Sequence, residues 1–466
     1  MKKKIAILGS TGSIGKTSLN IFKKNLKEFN ITLLSANSNY SSINSQIKKY
    51  KPKYFIINNV NVFNKIKNRY KKKKIKIYNK FSDLPRKKIK FDITISAIVG
   101  IAGLEPTIKF ISLSKKILLA NKETVICGWH IIEKLCKKNN SKIIPIDSEH
   151  FSIDQLTKNY KDEDIKKIYI TASGGPFLKK SLKDFKNIKP KEAIKHPNWQ
   201  MGKKISIDSS NMMNKVLEVI EAFKLFPFNP DKYKIIIHPQ SLVHAIVFFK
   251  NGQTKFLYHE TDMLIPIANA IYENKIDIET LSGKKNSFLK NCQNLKFQEI
   301  DKKRFPIVTF LSKNIFKNSG PIILNASNEV LVDAFMKGNL NDVLKHADPD
   351  PKIENKNVKT AVGKDQIGMS YKQIKKVNEK THDIEFTTEM IIPLPSFYNE
   401  GMSKEFETPA ATVMKNELNG IAGIKWVDDP GSPSTINMYQ EIIAAKLLGK
   451  KAPKYNTKNT YIMEVI

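Results

Sequence analysis

KIAILGSTGSIG (residues 4–15) decides the fold of the first part of this 466-residue chain. The apolar run 4–8 predicts a short buried strand, and the glycines at positions 9, 12 and 15 predict a tight turn into a helix. Glycines there let a pyrophosphate approach the free N–H groups of the helix N-terminus. Spaced glycines also occur in ordinary turns, but between a strand and a helix they favour a dinucleotide site.

The second predicted strand, residues 31–35, indicates which dinucleotide binds. NAD sites usually carry Asp or Glu at the end of this strand, where it bonds the ribose 2′-hydroxyl. The segment here contains Asn37, Ser38 and Asn39 and no acid. Because neutral donors suit a 2′-phosphate, the sequence favours NADP(H) over NAD(H).

Short apolar runs separated by helical stretches continue this pattern. The runs lie at 54–57, 75–78, 92–96, 117–119 and 142–146. They predict an α/β fold in which residues 1–147 form a Rossmann-like, doubly wound NADPH-binding domain. Residues 148–275 alternate apolar runs (167–171, 234–238, 242–249) with a long helix near 209–225, which predicts an α+β catalytic domain.

The composition of the sequence changes after residue 275. Residues 276–305 are polar and predict a linker, and 306–340 predict a partial helical domain with an amphipathic helix at 321–337. Residues 341–466 contain 17 Lys and 17 Asp+Glu, so the whole net charge of +35 lies before them. We leave this neutral tail unassigned.

The basic charge does not predict a nucleic-acid binder. Of 79 basic residues, arginine accounts for Arg69, Arg86 and Arg304 alone, whereas base and bidentate phosphate recognition favour arginine. No apolar run reaches the ~18–20 residues of a membrane helix. The three cysteines lie far apart, which predicts no disulfide framework and favours a reducing, cytoplasmic compartment.

Asp147-Ser148-Glu149 follows the last apolar run of the first domain. In an extended segment, residues two apart face the same side, so the two carboxylates would converge. With a third oxygen ligand they would hold a hard cation such as Mg²⁺ or Mn²⁺. Taken alone, the tripeptide is more often a solvated acidic pair at a strand end.

SSNMMNKVLE (residues 209–218) supplies the third ligand. Ser209 is placed at a capped helix start, and Asn214, Lys215 and Glu218 share one helix face. Hydroxyl, amide and ammonium donors there predict a phosphate site, and the carboxylate one turn on reaches a metal. An exposed helix with an ordinary Lys/Glu pair is the alternative.

Two predicted loops add further candidate site residues. TASGGPF (171–177) exposes N–H groups and the Ser173 hydroxyl, which suits an anion. HPNWQMG (196–202) combines an imidazole, an indole and a glycine, and predicts a mobile lid near 193–203 that excludes water. Each loop alone is compatible with a plain turn.

Together these segments resemble the 1-deoxy-D-xylulose 5-phosphate reductoisomerase family over residues 1–340. The matching stretches are GSTGSIG (9–15), LLANKET (118–124), PIDSEH (145–150), TASGGPF (171–177), HPNWQMGKKISIDSSNMMNKVLEVIEA (196–222), HPQSLVHA (238–245) and ILNASNEVLVDAF (323–335).

The resemblance implies residue roles. The catalytic residues implied are Lys122, Glu149, His150, His196 and Trp199. NADPH would be bound by Thr11, Gly12, Ser13, Ile14, Asn37, Ser38, Asn39, Asn121, Glu123 and Gly202. The substrate would contact Lys122, Ser148, Glu149, Ser173, His196, Ser209, Asn214, Lys215 and Glu218. The metal, Mg²⁺, Mn²⁺ or Co²⁺, would be held by Asp147, Glu149 and Glu218, and His244 matches a further active-site histidine.

The implied activity is NADPH- and metal-dependent isomerisation and reduction of 1-deoxy-D-xylulose 5-phosphate to 2-C-methyl-D-erythritol 4-phosphate, in a homodimer. The stretch 251–260 and the tail 341–466 depart from the family pattern. Two other functions stay open: another NADP-dependent, metal-assisted oxidoreductase, and a non-catalytic lysine-rich binding protein. The phosphate-type donors argue against an unphosphorylated substrate for the first.

Overall fold

Two compact units make up the chain in this computed structural model, residues 1–333 and 334–466. The structure describes residues 2–85, 89–199, 201–283, 285, 288–292, 295–312, 314–316 and 319–338, together with four strands beyond residue 367. Among the described helices, none is long and apolar enough to cross a membrane.

A seven-stranded parallel sheet, in the order β4-β3-β2-β1-β5-β6-β7, carries the glycine turn. Its strands are β1 (Lys3–Leu8), β2 (Phe29–Ala36), β3 (Tyr54–Ile57), β4 (Lys76–Tyr78), β5 (Phe91–Ser96), β6 (Ser114–Leu119) and β7 (Lys142–Pro145). The connecting helices are α1 (Ser13–Lys24), α2 (Tyr40–Tyr50), α3 (Val60–Arg69), α4 (Leu104–Ile111) and α5 (Lys122–Asn139).

Both faces of this sheet are buried. Ile5 and Ile7 of β1 pack into one apolar cluster, whereas Ala6 and Leu8 pack into another on the opposite face, because successive strand residues alternate sides. Strands buried on both faces have continuous apolar sequences. The predicted doubly wound α/β fold is therefore confirmed.

A second sheet of four strands, in the order β11-β10-β8-β9, follows. Its strands are β8 (Ile165–Ala172), β9 (Tyr233–Ile237), β10 (Val243–Phe249) and β11 (Thr254–Tyr258). The helices of this region are α6 (Ser148–Thr157), α7 (Pro190–Ala193), α8 (Lys203–Ser210) and α9 (Met213–Leu225). Ile153 of α6 and Val219 of α9 pack with Ile168 and Val247 of the sheet, so these helices cover one of its faces.

The chain then returns to the first sheet. Ile267 and Ile271 of α10 (Leu264–Tyr272) join the core around β1. The stretch predicted as a linker, 276–305, contains α11 (Ile278–Ser282) and α12 (Phe288–Asn291) and ends at the buried Phe305. Helix α13 (Gly320–Lys337) matches the predicted helix at 321–337. The domain limits themselves stay predictions.

The unit 334–466 contributes a described antiparallel sheet in the order β12-β13-β15-β14. Its strands are β12 (Gly368–Asn378), β13 (Asp383–Ile391), β14 (Ile424–Val427) and β15 (Ile462–Val465). The rest of the tail that the sequence left unassigned lies outside the described residues.

Candidate active site

The glycine turn joins the end of β1 to the start of α1. Gly9 has φ +84°, and a Cβ there would lie 2.6 Å from the carbonyl oxygen of Ala97, so this position requires glycine. A Cβ on Gly15 would collide with the carbonyl oxygen of Gly9. Gly12 is the N-cap of α1 and provides no side-chain cap, which leaves the first amides of the helix open to an anion.

Substituting two of these glycines separates folding from cofactor binding. Gly15→Ala should lower the free energy of unfolding by about 1–3 kcal/mol, because the new methyl overpacks α1 against the turn. Gly12→Ala should leave stability unchanged, because its Cβ would lie 3.5 Å from the carbonyl oxygen of Gly9, yet weaken NADPH binding by occupying the anion approach. Urea unfolding and NADPH fluorescence titration measure the two effects, and equal loss of stability in both variants would contradict this assignment.

A cavity of about 670 Å³ opens beside this turn. Its lining includes most of the predicted site residues: Ser13, Ile14, Lys122, Asp147, Ser148, Glu149, Ser173, His196, Trp199, Gly202, Ser209, Asn214, Lys215, Glu218 and His244. The cofactor turn, the acidic tripeptide, the lid and the start of α9 therefore face one space.

Some predicted cofactor residues lie outside this lining. Thr11 and Gly12 belong to the turn itself, and Asn37 and Ser38 follow β2 on the surface. Asn39 is the N-cap of α2, and its side chain accepts a bond from Ser42 N at 3.0 Å.

Asn121 and Glu123 also have side chains engaged within the protein. Asn121 is the N-cap of α5, accepts from Thr124 N at 2.7 Å and donates to the carbonyl oxygen of Gly100 at 2.8 Å. Glu123 is buried and pairs with Lys204 at 3.1 Å. Neither side chain reaches the cavity lining, so their predicted cofactor roles stay predictions.

Three carboxylates converge in the cavity. Asp147, Glu149 and Glu218 each offer an oxygen, and these atoms lie within 4.8 Å of one another. The predicted extended segment is wrong: Asp147 is the N-cap of α6, and Glu149 lies in its first turn. The carboxylates converge because Glu218 meets them from α9. An oxygen-only donor set of this charge fits a hard divalent cation.

Two buried lysines neutralise part of this charge. The Lys122 ammonium lies 3.2 Å from Asp147 Oδ2 and 3.0 Å from Glu218 Oε1, and it donates to Asn214 Oδ1 at 2.8 Å. Lys215 pairs with Glu149 and lies 2.8 Å from Glu218 Oε2. Both ammonium groups thus hold the carboxylates in position.

The electrostatics of these groups follow from burial and pairing. Burial disfavours the charged lysine, but Glu149 and Glu218 outweigh it and raise the pKa of Lys215 to about 12. Burial, followed by the neighbouring Glu218 carboxylate, raises the pKa of Glu149 to about 8. For Asp147 burial is outweighed by the Lys122 ammonium, so its pKa lies below the usual value. Burial and the Glu218 carboxylate thus disfavour a charged Glu149, and a bound cation would offset that repulsion.

The anion-type donors meet where α8 ends and α9 begins. The predicted single helix near 209–225 is wrong: Ser209 lies near the end of α8, and α9 starts after Met212, whose φ is +71°. A Cβ on Gly175 would lie 2.7 Å from the carbonyl oxygen of Ser209. Glycine therefore lets the loop carrying Ser173 approach α8 closely.

His196 orients Ser173 toward the cavity. Its Nδ1 accepts from the backbone N–H groups of Asn198 and Trp199 at 3.2 and 3.0 Å, so Nε2 carries the proton and donates to Ser173 Oγ at 2.9 Å. Burial, reinforced by Lys215, lowers the pKa of His196 to about 4. Because Ser173 Oγ also accepts from Gly175 N at 3.1 Å, its own proton is left for an anion.

The other two predicted active-site histidines, His150 and His244, differ in their position relative to the cavity. His150 is fully buried outside the cavity lining, and its Nε2 donates to the carbonyl oxygen of Glu218 at 2.9 Å. His244 lies in the lining, with its ring 5.9 Å from that of Trp199 and 3.8 Å from that of His259.

The sequence did not indicate two residues that help to build the site, Glu221 and Asn198. Glu221 is 1% exposed and its Oε2 lies 3.4 Å from His150 Nδ1; its spacing of three from Glu218 was the available signal. Asn198 fastens the lid, donating to the carbonyl oxygen of Pro239 at 2.6 Å and to Ser241 Oγ at 2.9 Å. No spacing in the sequence indicates that pairing.

Comparison with known families gives consistent matches along the chain. Residues 5–128 match the family described as 1-deoxy-D-xylulose 5-phosphate reductoisomerase. Residues 143–226 and 259–342 match two domains described as C-terminal domains of that enzyme.

Curated relatives and solved structures agree with these matches. The 1-deoxy-D-xylulose 5-phosphate reductoisomerase of Pelagibacter ubique is 45% identical over 349 residues, which cover 73% of this chain and 89% of the relative. That of Wolbachia pipientis wMel is 41% identical, covering 72% and 87%. The enzyme from Zymomonas mobilis in complex with NADPH superposes with a TM-score of 0.66 at 30% identity, covering 75% and 93%. A reductoisomerase structure with NADPH, fosmidomycin and magnesium gives 0.66 at 32% identity, covering 75% and 92%.

Proposed function

The chain belongs to the 1-deoxy-D-xylulose 5-phosphate reductoisomerase family, and we propose its activity from this membership and the geometry of its site. It converts 1-deoxy-D-xylulose 5-phosphate to 2-C-methyl-D-erythritol 4-phosphate with NADPH and a divalent cation. The observation that carries the proposal is the convergence of Asp147, Glu149 and Glu218 within 4.8 Å, in the cavity that the glycine turn and the anion-type donors also line.

The donor chemistry fits a divalent cation and NADPH. Asp147, Glu149 and Glu218 would hold Mg²⁺ or Mn²⁺, which supplies Lewis-acid polarisation and a template for the substrate oxygens, while NADPH supplies the hydride. The open amides at the start of α1 would receive the cofactor phosphates.

The chain's own residues bind and orient the substrate. Ser173, Ser209, Asn214 and Lys215 surround the place proposed for the substrate phosphate. The Lys122 ammonium lies among the carboxylates, where it stabilises negative charge that develops on substrate oxygens. Trp199 would cover the substrate and exclude water. His150 lies outside the cavity lining and positions Glu218. Its bond to the Glu218 carbonyl oxygen fixes the helix turn that presents the Glu218 carboxylate.

A panel of hydroxy-ketone and hydroxy-acid substrates, with and without a phosphate, tests this function against a hydroxy-acid dehydrogenase. We expect NADPH consumption only with the phosphorylated ketose, because the anion donors would otherwise stay unpaired. Equal turnover of an unphosphorylated substrate would overturn the proposal.

We also propose a homodimer in a reducing, cytoplasmic setting, the latter consistent with Cys127, Cys136 and Cys292 forming no disulfide with one another. Strand β11 forms an edge of the second sheet, and an edge offers unpaired N–H and C=O groups. Phe248 and Phe256 are 36% and 48% exposed beside it. The antiparallel register pairs Ile246 with Phe256 and Phe248 with Thr254, so both rings lie on one sheet face.

Replacing Phe256 with Glu should therefore dissociate the dimer, because a charge would be buried at the contact. Light scattering coupled to size exclusion measures the mass. Leu26→Glu is the matched control, since Leu26 is 45% exposed but lies on the first domain. A monomeric unsubstituted protein, or a dimer that survives Phe256→Glu, would contradict the proposed contact.

A further inference from the structure

A buried network of polar side chains joins three helices beside the cavity. The ammonium of Lys204, in the first turn of α8, lies 3.1 Å from Glu123 Oε1 and 3.0 Å from Asp208 Oδ2. Asp208 also accepts a bond from Asn328 Nδ2 of α13 at 2.9 Å. The side chains of Glu123 and Asp208 are 6% and 2% exposed, so α5, α8 and α13 are linked through groups largely removed from water.

Three members, Glu123, Lys204 and Asp208, lie within two residues of a residue that lines the cavity. Glu123 directly follows Lys122, and Asp208 directly precedes Ser209. Lys204 comes two residues after Gly202, at the end of the lid (residues 193–203). The network therefore connects the backbone of three parts of the site without reaching the substrate space.

We propose that Lys204 is a positioning residue. By pairing with Glu123 and Asp208 together, it holds the end of the lid and the start of α8 at a fixed distance from the helix that carries Lys122. This inference rests on the proposed function only for its effect on turnover, whereas its effect on the lid is independent of any substrate.

The energetics favour one arrangement of the network. A buried carboxylate without a partner is strongly unfavourable. The ion pairs with Glu123 and Asp208 therefore both stabilise the observed position of the Lys204 ammonium. Asn328 satisfies a second acceptor site of Asp208 and adds α13 to the linkage. Because the first turn of α8 is held in this way, the lid ends at a fixed position next to the cavity.

Hydrogen exchange in the full-length protein, with no ligand added, tests the structural claim. Lys204→Met should speed amide exchange in peptides covering the lid, and Lys204→Arg should restore exchange close to that of the unsubstituted protein. Lys134→Met is the matched control, because Lys134 is exposed on α5, one of the linked helices, and lies outside the lid. Unchanged lid exchange in Lys204→Met would overturn the proposal.

Kinetics then test the consequence for the reaction. Lys204→Met should lower kcat/KM for 1-deoxy-D-xylulose 5-phosphate by roughly 10–100-fold, as expected for misplacement of site groups. The Kd for NADPH should change far less than the KM for the ketose phosphate. A loss confined to NADPH affinity would overturn the proposal and would instead assign Lys204, together with Glu123, to NADPH binding.

A second variant keeps the test valid if Lys204→Met folds poorly. Lys204→Met combined with Glu123→Gln and Asp208→Asn removes both carboxylate charges that would lose their partner and keeps a polar partner for Asn328. It should recover thermal stability while the lid still exchanges fast. Recovery of both would show that the lysine serves stability alone. If the unsubstituted protein has no reductoisomerase activity, the proposed function fails, whereas the exchange result still decides the role of Lys204.

Discussion

Glu218→Gln should lower kcat/KM for NADPH-dependent conversion of 1-deoxy-D-xylulose 5-phosphate by about 10³-fold, which corresponds to about 4 kcal/mol of transition-state stabilisation. Glutamine keeps the shape of the side chain but removes one of three converging negative charges. Its carboxamide also brings an NH₂ group toward Lys122 or Lys215, which lie 3.0 and 2.8 Å from the present carboxylate oxygens.

Two measurements check this prediction. Steady-state assays at limiting Mg²⁺ give the rate, and calorimetric titration with Mn²⁺ gives metal affinity without any substrate. Glu163→Gln is the matched control, because Glu163 is 73% exposed and its contact to Lys161 is 3.8 Å long. Undiminished turnover of Glu218→Gln at limiting Mg²⁺ would remove Glu218 from the metal site.

Lys122→Met should have a comparable effect on turnover and a larger effect on folding. The Lys122 ammonium pairs with the Asp147 and Glu218 carboxylates and donates a hydrogen bond to Asn214 Oδ1. Burial opposes its charge, but Asp147 and Glu218 raise its pKa well above the usual value. Without it, buried carboxylates lose a partner, and breaking such a pair typically costs about 3–5 kcal/mol of stability.

Thermal unfolding of Lys122→Met with and without Mn²⁺ checks the physical reason. A cation that binds the folded state should raise the Tm of the variant more than that of the unsubstituted protein, because it replaces the missing positive charge. Lys115→Met is the control, since Lys115 is 77% exposed in its pair with Asp92. Equal Tm values for Lys122→Met and Lys115→Met would contradict the assigned role.

Local patterns predicted much of the fold. The apolar runs located β3 at its observed bounds and the other predicted strands within a few residues, because strands buried on both faces consist mainly of apolar side chains. The turn at 9–15 was equally predictable, since the φ of Gly9 and the close contact of Gly15 leave no room for another residue. The short strand β11 was missed, because its five residues, TKFLY, are exposed or half-buried and form no buried apolar run.

The site was predictable in its residues more than in its geometry. The sequence indicated Asp147, Glu149 and Glu218 as a set, but assigned the first two to an extended segment. They meet because α6 starts at Ser148, three residues after β7 ends at Pro145, and because α9 packs against α6. No spacing in the sequence encodes this long-range arrangement. Likewise, only packing turns the side chain of His150 away from the cavity while Glu149 beside it faces in.

One assay tests the central claim most directly. The full-length protein is incubated with NADPH, Mg²⁺ and 1-deoxy-D-xylulose 5-phosphate, and NADPH absorbance is followed while the product is identified by mass spectrometry. We predict NADPH oxidation that requires both the ketose phosphate and the cation and that yields 2-C-methyl-D-erythritol 4-phosphate in equal amount. NADPH oxidation that persists after chelation of divalent cations, or no oxidation at all from protein that binds NADPH, would contradict the account.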